Sequence, residues 1–330
     1  QLEGWLSVAR STGWLPCWSS PSHRSCMTGT YAEVVFAEAL AHGIDTGPPE
    51  EILGFMRRHV EEGVPNGSPH DREGLDEYLT LGYIPHERLV KSVARTLDYA
   101  YGDWCIGKIA LISGDRELAG HCFKRGRNWQ NLLCPETGFF RGRHSDGSWL
   151  EPFDPCTWGG PYVEGSAWQF AWAVPHQPEE LIAARGGRGP ARAFLQALLQ
   201  APPHFEKGTY PEVIHEMREM AAVDFGQYAH SNQPSHGILN YLAHCGDLPA
   251  CDHWRRRVCT ELHRPTPDGL PGDEDNGEMA SWFLCAVFGM LPDGPGSGRW
   301  LRLPPLWPGV KPAHPKPDRC PAPVTAVSAG

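Results

Sequence analysis

Three runs of residues concentrate the side chains that can do chemistry. Gly272-Asp273-Glu274-Asp275-Asn276-Gly277 sets three carboxylates side by side, just ahead of an apolar-periodic stretch that begins near Glu278. Adjacent carboxylates repel, so they persist best where a cation, a proton or the N–H groups of a helix start absorb the charge. Their hard oxygens point to calcium. An EF-hand is excluded: with Asp273 as position 1, Gly277 falls at position 5 and Leu284 at position 12, where that loop needs Gly at 6 and Glu at 12. A solvated turn with an acidic helix cap is the competing reading.

The second run extends from Asp154 to Trp168 and holds Glu164 among Trp158, Tyr162 and Trp168. Apolar rings desolvate a carboxyl and keep its proton to higher pH, which suits a general acid, and flat aromatic faces also bind sugar rings. The alternative is that Glu164 caps the following helix and the rings are core. The third run, His230-Ser231-Asn232-Gln233-Pro234-Ser235-His236, enters a helical segment at Pro234. Its oxygens suit calcium or sugar hydroxyls. Zinc lacks a third ligand at the right spacing, and Ile214-His215-Glu216 is no H-E-x-x-H motif, because position 219 is Glu.

Other chemistries lack their signatures. Gly186-Gly187-Arg188-Gly189 follows no strand, and no G-x-S-x-G elbow occurs. A formal charge of -10 and the absence of a Lys/Arg block argue against a nucleic-acid partner. No apolar run approaches the length that crosses a bilayer, and no signal peptide is visible. The chain starts at Gln1, which leaves the compartment open, with an exported location favoured once a family resemblance is considered. Eleven cysteines without a C-x-x-C read as buried thiols, with Cys251/Cys259 and Cys17/Cys26 as possible bridges. Asn66-Gly67-Ser68 is a lone glycosylation sequon.

The elements that must position these runs are helical. Apolar spacing predicts helices over 31–43, 51–60, 86–112, 116–133, 165–173, 178–184, 191–200, 234–243, 251–262 and 278–288. Strands are scarce, and the segment from Pro292 onward is dense in proline and reads as extended. The expected fold is all-α, one domain over 1–295 with a Pro-rich tail over 296–330. Long Gly/Trp/Asp/His-rich connections alternate with short ones, which gives a helical shell one working face. Two separated carboxylate runs on that face fit glycoside hydrolysis, which needs an acid at the leaving oxygen and a base at water.

Three stretches resemble the exo-acting alpha-mannosidases of glycoside hydrolase family 92: Gly159-Gly160-Pro161-Tyr162-Val163-Glu164-Gly165-Ser166-Ala167-Trp168-Gln169, the run from Gly226 to His236, and the run from Gly272 to Met279. Supporting blocks lie at Gly74–Leu79, Leu81–Pro85, Arg95–Tyr101 and Asp146–Trp149. The resemblance implies an alpha/alpha toroid of the six-hairpin type and inverting hydrolysis of terminal alpha-mannosides. It also implies a calcium ion that grips the sugar hydroxyls. By motif, Glu164 resembles the general acid and Asp275 the general base, with Asp273 assisting. Asn232, Gln233 and Asp275 resemble the calcium neighbourhood. His230 and His236 would contact substrate or hold the loop, and Trp158 and Trp168 would flank the sugar.

The chain also departs from the pattern. The family's N-terminal beta-sandwich domain, a natural intramolecular partner, and its W-D-T-aromatic-R segment are not in this sequence, so the toroid is expected to be truncated at its N-terminal edge. Tyr31 and Gly237 stand where members carry His, and Gln233 where many carry Glu. A catalytically inactive mannose-binding or structural remnant is therefore the alternative function.

Overall fold

The computed structural model describes residues 1–18, 27–61 and 72–310. The sequon at Asn66 and the cysteines Cys26 and Cys320 lie outside them. The helices in chain order are α1 (Leu2–Thr12), α2 (Ala32–Ala41), α3 (Pro49–Glu61), α4 (Leu75–Leu81), α5 (Ser92–Ile112), α6 (Arg116–Arg125), α7 (Ala167–Phe170), α8 (Pro178–Ala184), α9 (Arg188–Gln200), α10 (His215–Ala221), α11 (Asn240–His244), α12 (Leu248–Arg257) and α13 (Glu278–Phe288). Short 3₁₀ turns occupy Asn128–Asn131 and Gln233–Ser235, and a π turn, Val258–Leu262, continues α12. The chain is mostly helical, as its spacing predicts.

Helix α5 is the axis of the N-terminal half. Its buried set runs around most of its circumference, including Val93, Leu97, Ala100, Ile106 and Ile109, so other elements must cover it on every side. It starts at Ser92 rather than His86 because Lys91 adopts a left-handed φ of 59° and His86 N–H is committed to the Arg143 carbonyl at 2.9 Å. The break at Ser113-Gly114-Asp115 turns the chain into α6, whose start is capped by the Asp115 carboxylate accepting from Leu118 N–H at 3.0 Å. Helix α6 then stops at Arg125, short of the predicted Leu133.

One apolar core joins α1, α2, α3, α5 and α6; a larger one gathers the aromatic residues Trp129, Phe140, Phe170, Trp172, Phe225 and Trp282 from the rest of the chain. Each large apolar side chain removed from water contributes roughly 1.5–3 kcal/mol. The N-terminal core also encloses a charged network. Arg72 meets Asp103 at 2.5 Å and Glu33 at 3.2 Å, while His59 meets Glu33 at 3.1 Å, all fully buried.

Two further corrections concern the C-terminal half. The predicted helix 234–243 is a 3₁₀ turn followed by a short α11, with Gly237 between them, where glycine weakens a helix. The tail does not begin at 296. Met290–Pro292 (β1) pairs antiparallel with Trp300–Arg302 (β2), and Leu306 is buried, so a boundary at 295 cuts through a hairpin. Pro292 ends β1 and Pro304 and Pro305 follow β2, so they cost no ladder bond yet masked the pattern. Cys251 and Cys259 are buried free thiols.

Candidate active site

Gly159 and Gly160, at φ 76° and 61°, bend the acid-bearing loop, and Glu164 itself stands at φ 45°. Only four non-glycine residues among those described have positive φ; two of them, Glu164 and Asp275, are predicted site residues, and a third, Asn276, lies in the same acidic run. Such backbone is held by its surroundings and clusters at functional sites. Just after Glu164, Ser166 caps α7 in a reciprocal box with Gln169. The Gln169 amide donates to the Gln227 carbonyl at 2.6 Å and so ties this loop to the one carrying His230 and Asn232.

Asn232 closes the joint. Its Nδ2 donates to the Glu164 carbonyl at 3.0 Å and to the Glu164 carboxylate at 3.3 Å. Burial, then the charge of Glu216, raises the Glu164 pKa, and Asp275 adds to the rise; the Asn232 hydrogen bond and Lys91 oppose it. Glu164 is thus biased toward its protonated form.

The acidic loop divides its labour. Glu274 takes the helix-capping role, accepting from Gly277 N–H at 2.5 Å and Ala280 N–H at 3.3 Å. Asp275 instead receives the Gln233 side-chain amide. Asp273 is largely exposed and lies 3.7 Å from His215 Nε2. The loop rests directly on the third run: a Cβ on Gly272 would come within 2.3 Å of the Ser231 carbonyl oxygen, so only glycine fits there.

His230 and His236 are buried. His230 Nδ1 and the Tyr228 hydroxyl are 2.8 Å apart, His236 Nε2 meets the His230 carbonyl at 2.9 Å, and His236 Nδ1 meets Glu278 at 2.7 Å. Trp282 of α13 packs edge-on to His230, with ring centroids 4.3 Å apart. Trp158, expected beside the sugar, is 0% exposed within a cluster of Met217, Met220 and Ala229; with no open face it supports the loop from behind. Trp168 is partly exposed and packs edge-on to Phe139 at 4.7 Å.

The structure therefore brings Glu164, Asn232, Gln233 and Asp275 together, and it adds three residues that the sequence did not assign to this site. Glu164 N–H donates to the Tyr210 hydroxyl at 2.7 Å. Glu216, almost fully buried, faces Glu164 electrostatically and meets His215 Nε2 at 3.2 Å. His215 also contacts Glu219, and these carboxylates raise its pKa against the opposing effect of burial. Ile214-His215-Glu216 was visible only as a failed zinc motif.

Among the described residues no three His, Cys, Asp or Glu side chains converge to hold a metal. Asn232, Gln233 and Asp275 supply oxygen donors of the kind calcium takes, two of them neutral amides outside that count. The Gln233 amide nitrogen is spent on Asp275, which leaves its Oε1 for a cation. The donor set fits.

A mostly helical scaffold that presents a proton-retaining carboxyl and a second, hydrogen-bonded carboxylate on neighbouring loops has the parts of a glycoside hydrolase. The chain belongs to glycosyl hydrolase family 92, whose catalytic domain matches residues 1–319. It is 34% identical to a family GH92 inverting mannosidase of Bacteroides thetaiotaomicron, with a TM-score of 0.81 over 92% of this chain and 41% of that one. An alpha-mannosidase of the same family and organism, solved with mannoimidazole, gives 28% identity and a TM-score of 0.77 over 90% of this chain and 39% of that one. An uncharacterized secreted glycosidase of Arthroderma benhamiae is 25% identical over 94% of this chain and 41% of the relative. The chain spans about two fifths of the length of these relatives.

Proposed function

We propose that this chain carries the catalytic face of an inverting alpha-mannosidase that removes terminal alpha-linked mannose from glycans, its helices forming part of an alpha/alpha toroid. The observation that carries the reading is the joint made by Asn232 and Gln233 between the Glu164 loop and the Asp275 loop. Glu164, whose protonated form burial and Glu216 favour, gives its proton to the glycosidic oxygen as the bond to the anomeric carbon breaks. Asp275, oriented by the Gln233 amide, takes the proton of a water that attacks from the opposite face. Asp273 assists from the loop edge through His215. Asn232, Gln233 and Asp275 would hold the calcium, which when bound offers positive charge to the sugar hydroxyls. A preceding beta-sandwich domain would complete the sugar pocket.

The test is the first product formed from an alpha-mannoside, followed by proton NMR with calcium and after chelation. Beta-mannose released in calcium, and lost on chelation, is the expected result. Alpha-mannose as first product overturns inversion. Calcium-dependent mannose binding in calorimetry without any release identifies a sugar-binding remnant instead.

A further inference from the structure

The loop that carries Glu164 is gripped along its length by residues 206–210. Trp158 N–H donates to the Glu206 carbonyl at 2.9 Å, and Glu206 N–H to the Cys156 carbonyl at 3.0 Å. Next, Gly160 N–H donates to the Thr209 hydroxyl at 2.8 Å. A Cβ on Gly159 would lie 2.5 Å from that hydroxyl and 2.9 Å from the Tyr210 ring, so the two strips touch with no room for a side chain. The last contact is the Tyr210 hydroxyl accepting from Glu164 N–H at 2.7 Å. The Tyr210 ring, partly buried, packs against the apolar cluster of Trp158, Met217, Met220 and Ala229.

Glu164 needs this hold. Its φ of 45° lies in the left-handed region, which a non-glycine residue occupies only where its neighbours over-determine it. Its peptide is fixed at both ends: Tyr210 takes the N–H, and the Asn232 amide takes the carbonyl while also reaching the carboxylate. The two main-chain contacts fix the direction in which the side chain leaves the backbone, and the Asn232 amide also reaches its carboxylate.

We propose that Tyr210 is a positioning residue for Glu164, its hydroxyl holding the Glu164 main chain in the left-handed conformation that aims the carboxyl at the glycosidic oxygen. The inference rests on Glu164 being the general acid. A loosened acid fails first where proton donation is most needed, on substrates with poor leaving groups.

The experiment compares Tyr210→Phe, which keeps the ring and removes one oxygen, with Glu164→Gln in the full-length protein. On a mannoside with a sugar leaving group, Tyr210→Phe is expected to lower kcat by about tenfold or more with KM little changed, and to leave hydrolysis of an activated aryl mannoside within about twofold. Its crystal structure is expected to show Glu164 leaving positive φ. Equal losses on both substrates, no loss on either, or an unmoved Glu164 backbone would overturn the proposal. If Glu164→Gln itself shows no dependence on the leaving group, the assignment of the acid fails, and the crystal structure alone then decides whether Tyr210 holds that backbone.

Discussion

Asn232 holds Glu164 by two atoms at once: a single amide nitrogen donates to the Glu164 carbonyl at 3.0 Å and to its carboxylate at 3.3 Å. The residues are 68 positions apart in the chain, so this bond fixes the relation between two of the three polar runs. Asn232→Ala removes both bonds and leaves partly buried acceptors unpaired, worth about 1–3 kcal/mol. Turnover of alpha-mannosides should fall by roughly 5- to 150-fold at unchanged secondary structure by circular dichroism. Full activity in Asn232→Ala would show that the joint does not position the acid.

Glu216 is the second cause, after burial, of the raised Glu164 pKa. A negative charge nearby disfavours ionisation, so removing it lets the Glu164 proton leave at lower pH. In Glu216→Gln the alkaline limb of the kcat/KM profile, which reports loss of the acid's proton, should move toward lower pH. A limb that stays in place assigns the proton-retaining environment to burial alone.

Arg72 lies between Asp103 of α5 and Glu33 of α2, with all three side chains out of contact with water. Removing one partner of a buried ionic network leaves the others uncompensated, at a cost of about 3–5 kcal/mol. Arg72→Met should lower the thermal midpoint by several degrees, read by calorimetry. A midpoint within a degree of wild type would mean that the network adds no net stability.

His244 bridges Glu179 at 3.1 Å and Asp293 at 2.8 Å. Burial opposes its charge, but the hydrogen bonds it donates to Asp293 and Glu179 prevail and raise its pKa from 6.5 to about 9. A raised histidine pKa contributes stability that is fully present below its unfolded value, near 6.5, and is lost as pH climbs through about 9. The carboxylate of Glu179 is 65% exposed, so solvent screening limits the contribution to about 1 kcal/mol. Thermal melts between pH 6 and pH 10 should fall more steeply for wild type than for His244→Gln; parallel curves would assign the alkaline loss to other groups.

The chemistry of the site was legible where it is local. Helices α8 and α13 have the predicted bounds because each starts on a strong signal, Pro178 or the Gly277 turn, and runs in one apolar stripe. The roles within the acidic run were not legible. Glu274 caps while Asp275 faces Gln233, and only the left-handed turn at Asp275, Asn276 and Gly277 separates the two directions. Tyr210 and Glu216 were missed because their meaning comes from the Glu164 loop, 46 positions or more away, with no motif of their own. Trp158 misled for the opposite reason: an aromatic residue beside a carboxyl reads as a sugar platform, but Met217 and Met220 from α10 close over it.

The assignment of acid and base rests on two different carboxylate environments. The Glu164 pKa is raised by burial and by like charge, which favours the form with a proton to give, whereas Asp275 accepts an amide hydrogen from Gln233 on the neighbouring loop. Protonating the departing oxygen matters in proportion to that oxygen's basicity. Glu164→Gln should therefore lose about 10²- to 10⁴-fold on mannosides with sugar leaving groups and far less on activated aryl mannosides. Asp275→Asn should lose activity on both alike, because every substrate needs an activated water. Rescue by the aryl leaving group in Asp275→Asn alone would reverse the two roles, and undiminished activity in both variants would place the reacting centre outside this pair.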